Sequence, residues 1–347
     1  MAYVGGSDEA GSGHLGIPDK TLIRTPQPIE LIKESVHAVA AGGMHSVALT
    51  NKGIYTWGNG DQFATGRNDL DNAMVPTLIF KHKNVSKIAA SDGLTCCISN
   101  RKLYAVGTFR GENGVIGINN ETLIQENLGL IQVGDNENIA DVKTGNNHVV
   151  LLTESNKVYA FGACTVFQTG FRTSTRVLAR WCMTDTVLIS DVKLIGTGDD
   201  NSFFVKSNND IYVCGINGFG QIGLPANEPQ FQAIKKNSML TNFFKRLGEI
   251  IQIDGGSENT LFLVQLTKGN KKQNTEVYGI GGTKYGVLGR EGKDSGEAWL
   301  DKPVKIQFPK GVEINKIACG GRVGLAISKD GIAYSWVCYL YLCRERH

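Results

Sequence analysis

Short runs of β-branched and aromatic residues recur along the whole chain, and turns that contain glycine separate them. Such runs are typical of β-strands, and no sustained apolar period of 3.6 residues competes with them. Residues 238–247 are the exception, and there we expect one or two helical turns. A polar insertion at residues 268–274 is expected to lengthen a hairpin. The pattern therefore predicts an all-β protein.

One repeat unit accounts for these runs. Its first part reads Gly-x-x-His-Ser-x-x-Leu at residues 42–49, and its first position recurs at intervals of about 56 residues. Its second part is a strand that ends in Tyr-x-x-Gly, and a further glycine follows eight residues later. The second copy differs, because its two glycines, Gly107 and Gly117, are ten residues apart. The first positions of the six copies are Gly42, Ser91, Gly145, Gly198, Gly256 and Gly320.

The repeat predicts a β-propeller. A four-stranded antiparallel blade takes about 50 residues, and blades repeated around an axis bury one another's faces. We therefore predict a single propeller domain over residues 1–336, followed by a non-matching tail at 337–347. The predicted divisions are a half-repeat at 1–35, repeats at about 36–84, 85–138, 139–191, 192–249 and 250–313, and a partial repeat at 314–336.

Composition narrows the classes of function. The chain has 43 glycines where average usage of about 7% would give about 24, and the repeat positions explain most of the excess. The 36 basic and 33 acidic residues leave a net charge of +3, too small for nucleic-acid binding by bulk electrostatics. Eight cysteines without a Cys-x-x-Cys pair indicate a reducing compartment. The apolar run at 336–343 is far shorter than the ~20 residues of a membrane span, so we expect no membrane segment.

Several chemical motifs are weak or missing. Residues 11–16 and 218–223 both read Gly-x-Gly-x-x-Gly, but each lies in the recurrent turn of the repeat and neither opens a helix, which argues against a dinucleotide site. The chain has no P-loop motif and no Gly-x-Ser-x-Gly elbow. Its six histidines show no metal-ligand spacing. We therefore expect no cofactor, no metal and no covalent chemistry.

The repeat resembles that of the regulator of chromosome condensation family over residues 2–336. Residues 41–49, 107–117 and 317–331 carry the resemblance most clearly. It implies a propeller of a seven-bladed family and a guanine-nucleotide exchange factor that releases GDP from the small GTPase Ran, generating Ran-GTP at chromatin. It also implies a nuclear, chromatin-associated protein in nucleocytoplasmic transport and mitosis, with the cytoplasm as a second location. The alternative is a non-catalytic propeller of the same family that acts as a protein-interaction scaffold.

Residues 108–116, the longer loop of the second copy, look like the β-wedge with which the family pries nucleotide from Ran. The resemblance implies that Phe109 and Arg110 form its tip and that Asn113-Gly114 supplies a tight turn. Asp92 matches a functional aspartate of the family. The alternative is a longer surface hairpin without exchange activity. The implied catalytic residues are Asp92, Phe109, Arg110, Gly111, Glu112, Asn113 and Gly114.

Four further residues are implied at the GTPase interface, namely Asp8, His45, Asn147 and Glu258. Two of them depart from the family's pattern, because Asn147 stands where it has an aspartate and Glu258 where it has a histidine. Asparagine keeps hydrogen bonding but loses charge, and glutamate reverses the charge of a protonated histidine. For His45 the alternative is structural, a histidine that ties the turn of one blade to its neighbour.

Chromatin contacts are also implied by the resemblance. Arg172, Arg176 and Arg180 lie where the family's loop for the histone H2A–H2B dimer would fall, and a solvated basic loop is the alternative. The family's basic amino-terminal tail is missing, so we expect only weak DNA contact. The sequence holds about six blades, with the last incomplete, so we expect a ring of seven to be short by roughly one blade. We interpret the non-matching tail as a truncated or misread final exon.

Overall fold

The computed structural model describes residues 2–8, 11–67, 74–81, 84–111, 114–118, 122–171, 186–225, 228, 231–269, 271–283, 286–289, 299–321 and 323–337. The chain divides into two compact units. The first contains Met1–Ala163 and Thr173–Leu188, and the second contains Cys164–Arg172 and Ile189–His347. Each unit is a series of antiparallel sheets that follow one another along the sequence.

The first unit begins with a two-stranded hairpin, in which Tyr3–Ser7 pairs with Leu22–Pro28. The first blade contains the strands Val36–Ala41, His45–Thr50, Ile54–Gly58 and Thr77–Phe80. The second blade contains Val85–Ala90, Leu94–Ser99, Lys102–Gly107 and Gln125–Ile131. The third blade contains, within this unit, Ile139–Thr144, His148–Thr153 and Lys157–Gly162.

The second unit includes the two-residue strand Ile189–Ser190 and three blades. The fourth blade contains Val192–Thr197, Asn201–Lys206, Ile211–Ile216 and Phe231–Lys236. The fifth contains Gly248–Gly255, Asn259–Lys268, Lys271–Gly282 and Trp299–Lys305. The sixth contains Ile314–Cys319, Val323–Ser328 and Ala333–Val337. The chain is all-β with six propeller blades, which confirms the predicted fold class.

A helix, Ser238–Leu247, connects the fourth and fifth blades. The side chain of Asn237 caps it by accepting a hydrogen bond from the backbone N of Leu240 at 2.8 Å, which satisfies one of the free donors of the first turn. The buried side chains of Leu240 and Phe244 hold the helix on the sheets. The predicted helix is confirmed and is longer than expected. The lengthened hairpin of the fifth blade is also present.

A glycine stands at the last or second-to-last position of the third strand in the first five blades, for a steric reason. At Gly58, Gly107, Gly162, Gly215 and Gly281, φ lies between 100° and 108°. A Cβ atom there would lie 2.1–2.5 Å from a backbone oxygen of the neighbouring strand's loop. Only glycine combines this backbone conformation with so close an approach. The glycine excess of the sequence is thus a requirement of blade geometry.

Neighbouring blades pack through alternating side chains of their second strands. In the first unit, Val47 and Leu49 of the first blade form a cluster with Cys97 of the second. In the second unit, Leu261 of the fifth blade contacts the cluster that contains Ala326 of the sixth. Burial of each such side chain is worth roughly 1.5–3 kcal/mol, so these seams stabilise the fold.

Hydrogen bonds reinforce the seams at one repeat position. Each repeat unit ends in a turn, the closing turn, whose last residue is glycine. The Ser or Thr that follows the His position of the repeat donates its hydroxyl hydrogen to a backbone carbonyl in the closing turn of the preceding unit. The accepting residue lies two positions before the glycine that ends that turn. The four pairs are Ser46 Oγ to His14 O at 3.0 Å, Thr95 Oγ1 to Ala64 O at 2.8 Å, Ser202 Oγ to Gln168 O at 2.6 Å and Thr260 Oγ1 to Gln221 O at 2.8 Å. This contact explains the Ser or Thr of the repeat.

The third and sixth blades lack this hydroxyl. In the sixth blade Gly324 takes its place, and the indole Nε1 of Trp336 donates to Val287 O at 2.5 Å instead. In the third blade the residue is Val149, and the preceding closing turn is replaced by a hairpin. Of the helices that the structure describes, none is both long and apolar enough to cross a membrane.

Candidate functional site

The extra loop of the second blade is a separate hairpin. Its strands are Phe109–Gly111 and Gly114–Gly117, and they pair in the register Phe109↔Gly117, Arg110↔Val115 and Gly111↔Gly114. The hairpin forms a two-stranded sheet of its own, outside the four strands of the blade. Gly114, the first residue of the second strand, has a φ of 103°. Glu112 and Asn113 themselves lie outside the described residues.

Phe109 lies at the base of this hairpin, so the prediction that it forms the tip is wrong. Its side chain has no solvent exposure and packs edge-on against Phe161 of the third blade, with ring centroids 5.4 Å apart. The reason is the strength of apolar burial, because the ring of Phe109 belongs to the same core cluster as Phe161. Phe109 therefore anchors the hairpin to the blades.

Arg110 is held from two sides at the point where the hairpin leaves the core. Its backbone N donates to Asn147 Oδ1 at 2.9 Å, and its guanidinium Nε donates to Gln62 Oε1 at 2.9 Å. Gln62 belongs to the closing turn of the first blade, and Asn147 to the loop between the first two strands of the third. Three consecutive blades thus meet at one arginine.

Asp92 lies beside this arginine at the exposed edge of the second blade. Its Oδ2 accepts a hydrogen bond from Asn147 Nδ2 at 3.4 Å, and its backbone N donates to Asn146 O at 2.9 Å. Partial burial raises the pKa of the Asp92 carboxyl, while the charge of Arg110 and the hydrogen bond from Asn147 act in the opposite direction. We call Gln62, Asp92, Arg110 and Asn147 the hairpin-base cluster.

Asp8 is placed elsewhere, in the loop after the first strand. It is 1% exposed, and its carboxylate accepts hydrogen bonds from Ser12 N, Ser12 Oγ and Gly13 N at 2.7–2.8 Å. Burial alone would raise the pKa of Asp8, but these hydrogen bonds and the nearby His14 lower it. The arrangement stabilises the loop and leaves little of the carboxylate for a partner.

His45 is also buried, at 1% exposure. Its Nε2 lies 2.9 Å from Thr95 Oγ1, and the hydroxyl hydrogen of Thr95 is already donated to Ala64 O. Nε2 is therefore the donor of the pair, and Nδ1 carries the lone pair. Burial lowers the pKa of His45 to about 4, so the ring is neutral. This geometry supports the structural alternative, in which the ring ties the first blade to the second.

The remaining predicted residues lie in the second unit or outside the described residues. Glu258 belongs to the second unit, where it is half-buried and its carbonyl accepts a hydrogen bond from Gly282 N at 2.7 Å. Arg172, Arg176 and Arg180 lie outside the described residues. Among the described residues no group of three His, Cys, Asp or Glu side chains is arranged to hold a metal ion.

Gln62 is the functional-site residue that sequence reasoning missed. It adopts φ 56° and ψ 29°, a left-handed conformation that is uncommon for glutamine, and Phe63 follows it with φ 63°. Gln62 lies 48 positions from Arg110, and its residue type carries no chemical motif. The order of the blades could have predicted this contact, because the closing turn of each blade packs against the next blade.

Comparison with known proteins fits this geometry. The family model described as the RCC1-like domain matches residues 1–337, so the chain belongs to that family. The human protein named Regulator of chromosome condensation is 26% identical over 343 residues, which cover 93% of this chain and 77% of the relative. Guanine nucleotide exchange factor SRM1 of Saccharomyces cerevisiae is 25% identical over 332 residues, covering 86% and 68%. The solved structure of Prp20p from Saccharomyces cerevisiae has a TM-score of 0.83 at 24% identity, covering 96% of this chain and 80% of that one.

Proposed function

We propose that this protein is a guanine-nucleotide exchange factor for a Ran-type small GTPase and that its hairpin is the wedge that releases GDP. One observation carries the proposal: among the described closing segments, only that of the second blade is a hairpin, and three blades brace its base. The yeast relative, which is named as a guanine nucleotide exchange factor, supports an exchange role at the level of the family.

The proposed mechanism is displacement of phosphate-binding elements. A small GTPase holds GDP through P-loop amides, a lysine and Mg²⁺. An exchange factor accelerates release only by binding the nucleotide-free state more tightly than the loaded one. A 10⁴-fold preference corresponds to about 5.5 kcal/mol. A hairpin that is already rigid loses none of its binding free energy to ordering when it binds. The brace around Arg110 provides that rigidity.

Charge at the hairpin base is suited to the same task. Arg110 and Asp92 present opposite charges side by side, and Asn147 links them. Loss of GDP and Mg²⁺ leaves the GTPase with an unpaired lysine and with acidic metal ligands. Asp92 attracts the first kind of group and Arg110 the second, so both favour the nucleotide-free state.

The test is release of fluorescent GDP from Ran. The wild-type protein is expected to accelerate release, and Arg110→Ala to lower the acceleration at least tenfold. Arg101→Ala is the matched control, because Arg101 is an exposed arginine of the same blade that pairs with Glu154 at 3.4 Å. Absence of acceleration by the wild-type protein, or full activity of Arg110→Ala, would overturn the proposal.

The second candidate is a binding propeller without exchange activity. It is favoured by Asn147 and Glu258, the two departures from the family's pattern. Capture experiments with Ran in the absence of nucleotide distinguish the candidates. An exchange factor retains nucleotide-free Ran better than Ran-GDP, whereas a scaffold shows no such preference and retains another partner.

We further propose a nuclear, chromatin-associated location with histones as partners. Two solved structures support this proposal. The structure of Prp20p was reported together with its binding to Gsp1p and histones, and another structure contains Kap60 bound to yeast RCC1. Arg172, Arg176 and Arg180 are the residues proposed for the histone contact. Their joint replacement by alanine is expected to weaken nucleosome binding at least fivefold while GDP release stays unchanged. Unchanged nucleosome binding would remove these arginines from the proposal.

A further inference from the structure

We infer that the second unit carries a binding surface for an arginine-containing segment of a protein partner, formed by two exposed aromatic rings and two carboxylates. Phe219 lies in the closing turn of the fourth blade, and Trp299 begins the outer strand of the fifth blade. Glu258 and Asp301 supply the carboxylates. We call these four residues the aromatic–acidic patch. The inference goes beyond the exchange activity proposed above and does not depend on it.

The two aromatic rings of the patch are open to solvent. Phe219 is 39% exposed and Trp299 is 36% exposed, whereas Trp57 of the first blade is 3% exposed. Large aromatic side chains dominate the energetics of cores and interfaces, and tryptophan is enriched among the residues that carry most of the binding energy at interfaces. Two open rings on neighbouring blades of one unit therefore indicate a contact surface.

The closing turn of the fourth blade packs directly against the strand that carries Trp299. A Cβ atom at Gly220 would lie 3.2 Å from Trp299 Cδ1 and 3.5 Å from Asp301 Cβ. Both side chains are therefore on the side of the strand that faces this turn. Phe219 immediately precedes Gly220, so the two rings and the Asp301 carboxylate belong to one surface.

Glu258 reaches the same surface from the loop between the first two strands of the fifth blade. A Cβ atom at Gly282 would lie 3.0 Å from Glu258 Oε2, and Gly282 is the strand partner of Trp299. Among the residues that the structure describes, neither Glu258 nor Asp301 has a partner for its carboxylate in an ion pair or a hydrogen bond. Two unpaired negative charges beside the rings favour a cationic partner.

Hydrogen bonds hold the patch in place before a partner binds. Gln221 is 1% exposed, its Oε1 accepts from the backbone N of Phe219 at 2.9 Å, and its Nε2 donates to Ser257 O at 3.1 Å. This buried amide joins the turn that carries Phe219 to the loop that carries Glu258. A surface that is ordered in advance loses little binding free energy to ordering.

The chemistry of the patch fits a guanidinium group. A guanidinium is planar and always charged, so it stacks on an aromatic face while its N–H groups donate to a carboxylate. An anionic group would be repelled by both carboxylates, and a purely apolar side chain would cover them without replacing their hydrogen bonds to water. The patch therefore selects arginine within an otherwise small and neutral segment.

Fluorescence polarisation of a labelled peptide, Gly-Arg-Gly-Arg-Gly-Arg-Gly-amide, tests the inference on the full chain. The same peptide with citrulline at each arginine keeps the shape, loses the charge and is expected to bind at least tenfold more weakly. Trp299→Ala should weaken binding of the arginine peptide at least tenfold. Glu258→Gln and Asp301→Asn, which keep the size of the side chain, should each weaken it at least threefold. Glu313→Gln is the matched control and should bind normally, because the Glu313 carboxylate already pairs with Lys329.

Three outcomes would overturn the inference. The first is a Kd above about 1 mM for the arginine peptide and the wild-type chain. The second is equal binding of the citrulline peptide, which would indicate an apolar docking surface, or wild-type affinity in both Trp299→Ala and Glu258→Gln. The third is self-association that Trp299→Ala abolishes while the arginine peptide does not compete, which would assign the surface to a second copy of the chain. GDP release enters none of these measurements.

Discussion

The imidazole of His45 shows how burial decides what a repeated residue does. The ring is enclosed at the seam between two blades and donates one hydrogen bond, from Nε2 to Thr95. A buried neutral histidine costs stability when it must be protonated, because the charged form loses its hydration. His45 therefore contributes to the stability of the folded protein, and this contribution depends on pH.

The pH dependence of stability should reveal His45. Its pKa is about 4 in the folded protein against an ordinary value of 6.5, so its stabilising effect is complete above pH 6.5 and lost as the pH falls toward 4. The wild-type protein is expected to lose about 2 kcal/mol more than His45→Gln between pH 7 and pH 5. Glutamine keeps an N–H donor for Thr95 and does not titrate. Urea unfolding at both pH values measures the difference, and equal losses would contradict it.

The burial of Phe109 leads to a prediction about the free energy of unfolding. Because its ring is fully buried against Phe161, Phe109→Ala is expected to destabilise the protein by about 3–5 kcal/mol. Phe109→Leu keeps most of the apolar volume and should cost less than about 1.5 kcal/mol. Chemical denaturation measures both variants. An alanine variant as stable as the wild type would mean that Phe109 is at the surface.

Among the elements, the hairpin of the second blade and the missing hydroxyl of the third blade belong together. Four blades tie a Ser or Thr hydroxyl to the preceding closing turn. Where the hairpin replaces that turn, the facing residue is Val149, and the contacts are instead the Phe109–Phe161 pair and the hydrogen bond from Arg110 N to Asn147. At the seam between the second and third blades, one hydroxyl hydrogen bond is therefore replaced by an aromatic contact and a backbone-to-amide hydrogen bond.

This exchange is testable with two opposite substitutions. Thr260→Val removes the hydroxyl that donates a hydrogen bond to Gln221 O and should destabilise the protein by about 1–2 kcal/mol. Val149→Thr adds a hydroxyl at a buried position where the hairpin has replaced the turn, so it should also destabilise, by about 1–3 kcal/mol. Thermal and urea unfolding provide the measurements. A stabilising Val149→Thr would show that an acceptor is present there.

The strands were predictable because their signals are local. A repeated Tyr-x-x-Gly strand and a glycine at a fixed distance define each blade, and the two extra residues between Gly107 and Gly117 indicated a hairpin. The position of Phe109 within that hairpin was not predictable by counting residues. It depends on contact with Phe161, 52 positions away, which only the packing of two blades creates.

On the scale of the whole molecule, the candidate site is assembled from three repeats. Asp92 and Arg110 were found through a resemblance, but their link through Asn147 spans 55 and 37 positions. Resemblance compares one position at a time, so it marked Asn147 as a departure and did not show that the amide fits its neighbours. Gln62 reaches Arg110 from a left-handed backbone conformation, which its residue type does not predict.

The sixth blade differs from the others in one exposed face. Leu325 is 43% exposed and Ile327 is 44% exposed. The residues equivalent to Leu325 in the first five blades are all at 0%, and those equivalent to Ile327 are at 6% or less. By the alternation of the strand, this face is the one that a following blade covers elsewhere, as in the contact of Leu261 with the sixth blade. Within the part of the chain that the structure describes, it carries two uncovered aliphatic side chains.

Such a face should drive association of this 347-residue chain. We expect sedimentation velocity to show oligomers that increase with concentration, since covering each aliphatic side chain is worth roughly 1.5–3 kcal/mol. Replacing Leu325 and Ile327 together by lysine should weaken association at least tenfold without loss of secondary structure. Phe231→Lys is the matched control, because Phe231 is 45% exposed on the outer strand of another blade of the same unit. If the wild-type chain stays monomeric over the whole concentration range, or if the double variant associates equally, the exposed face of the sixth blade is not what joins the copies.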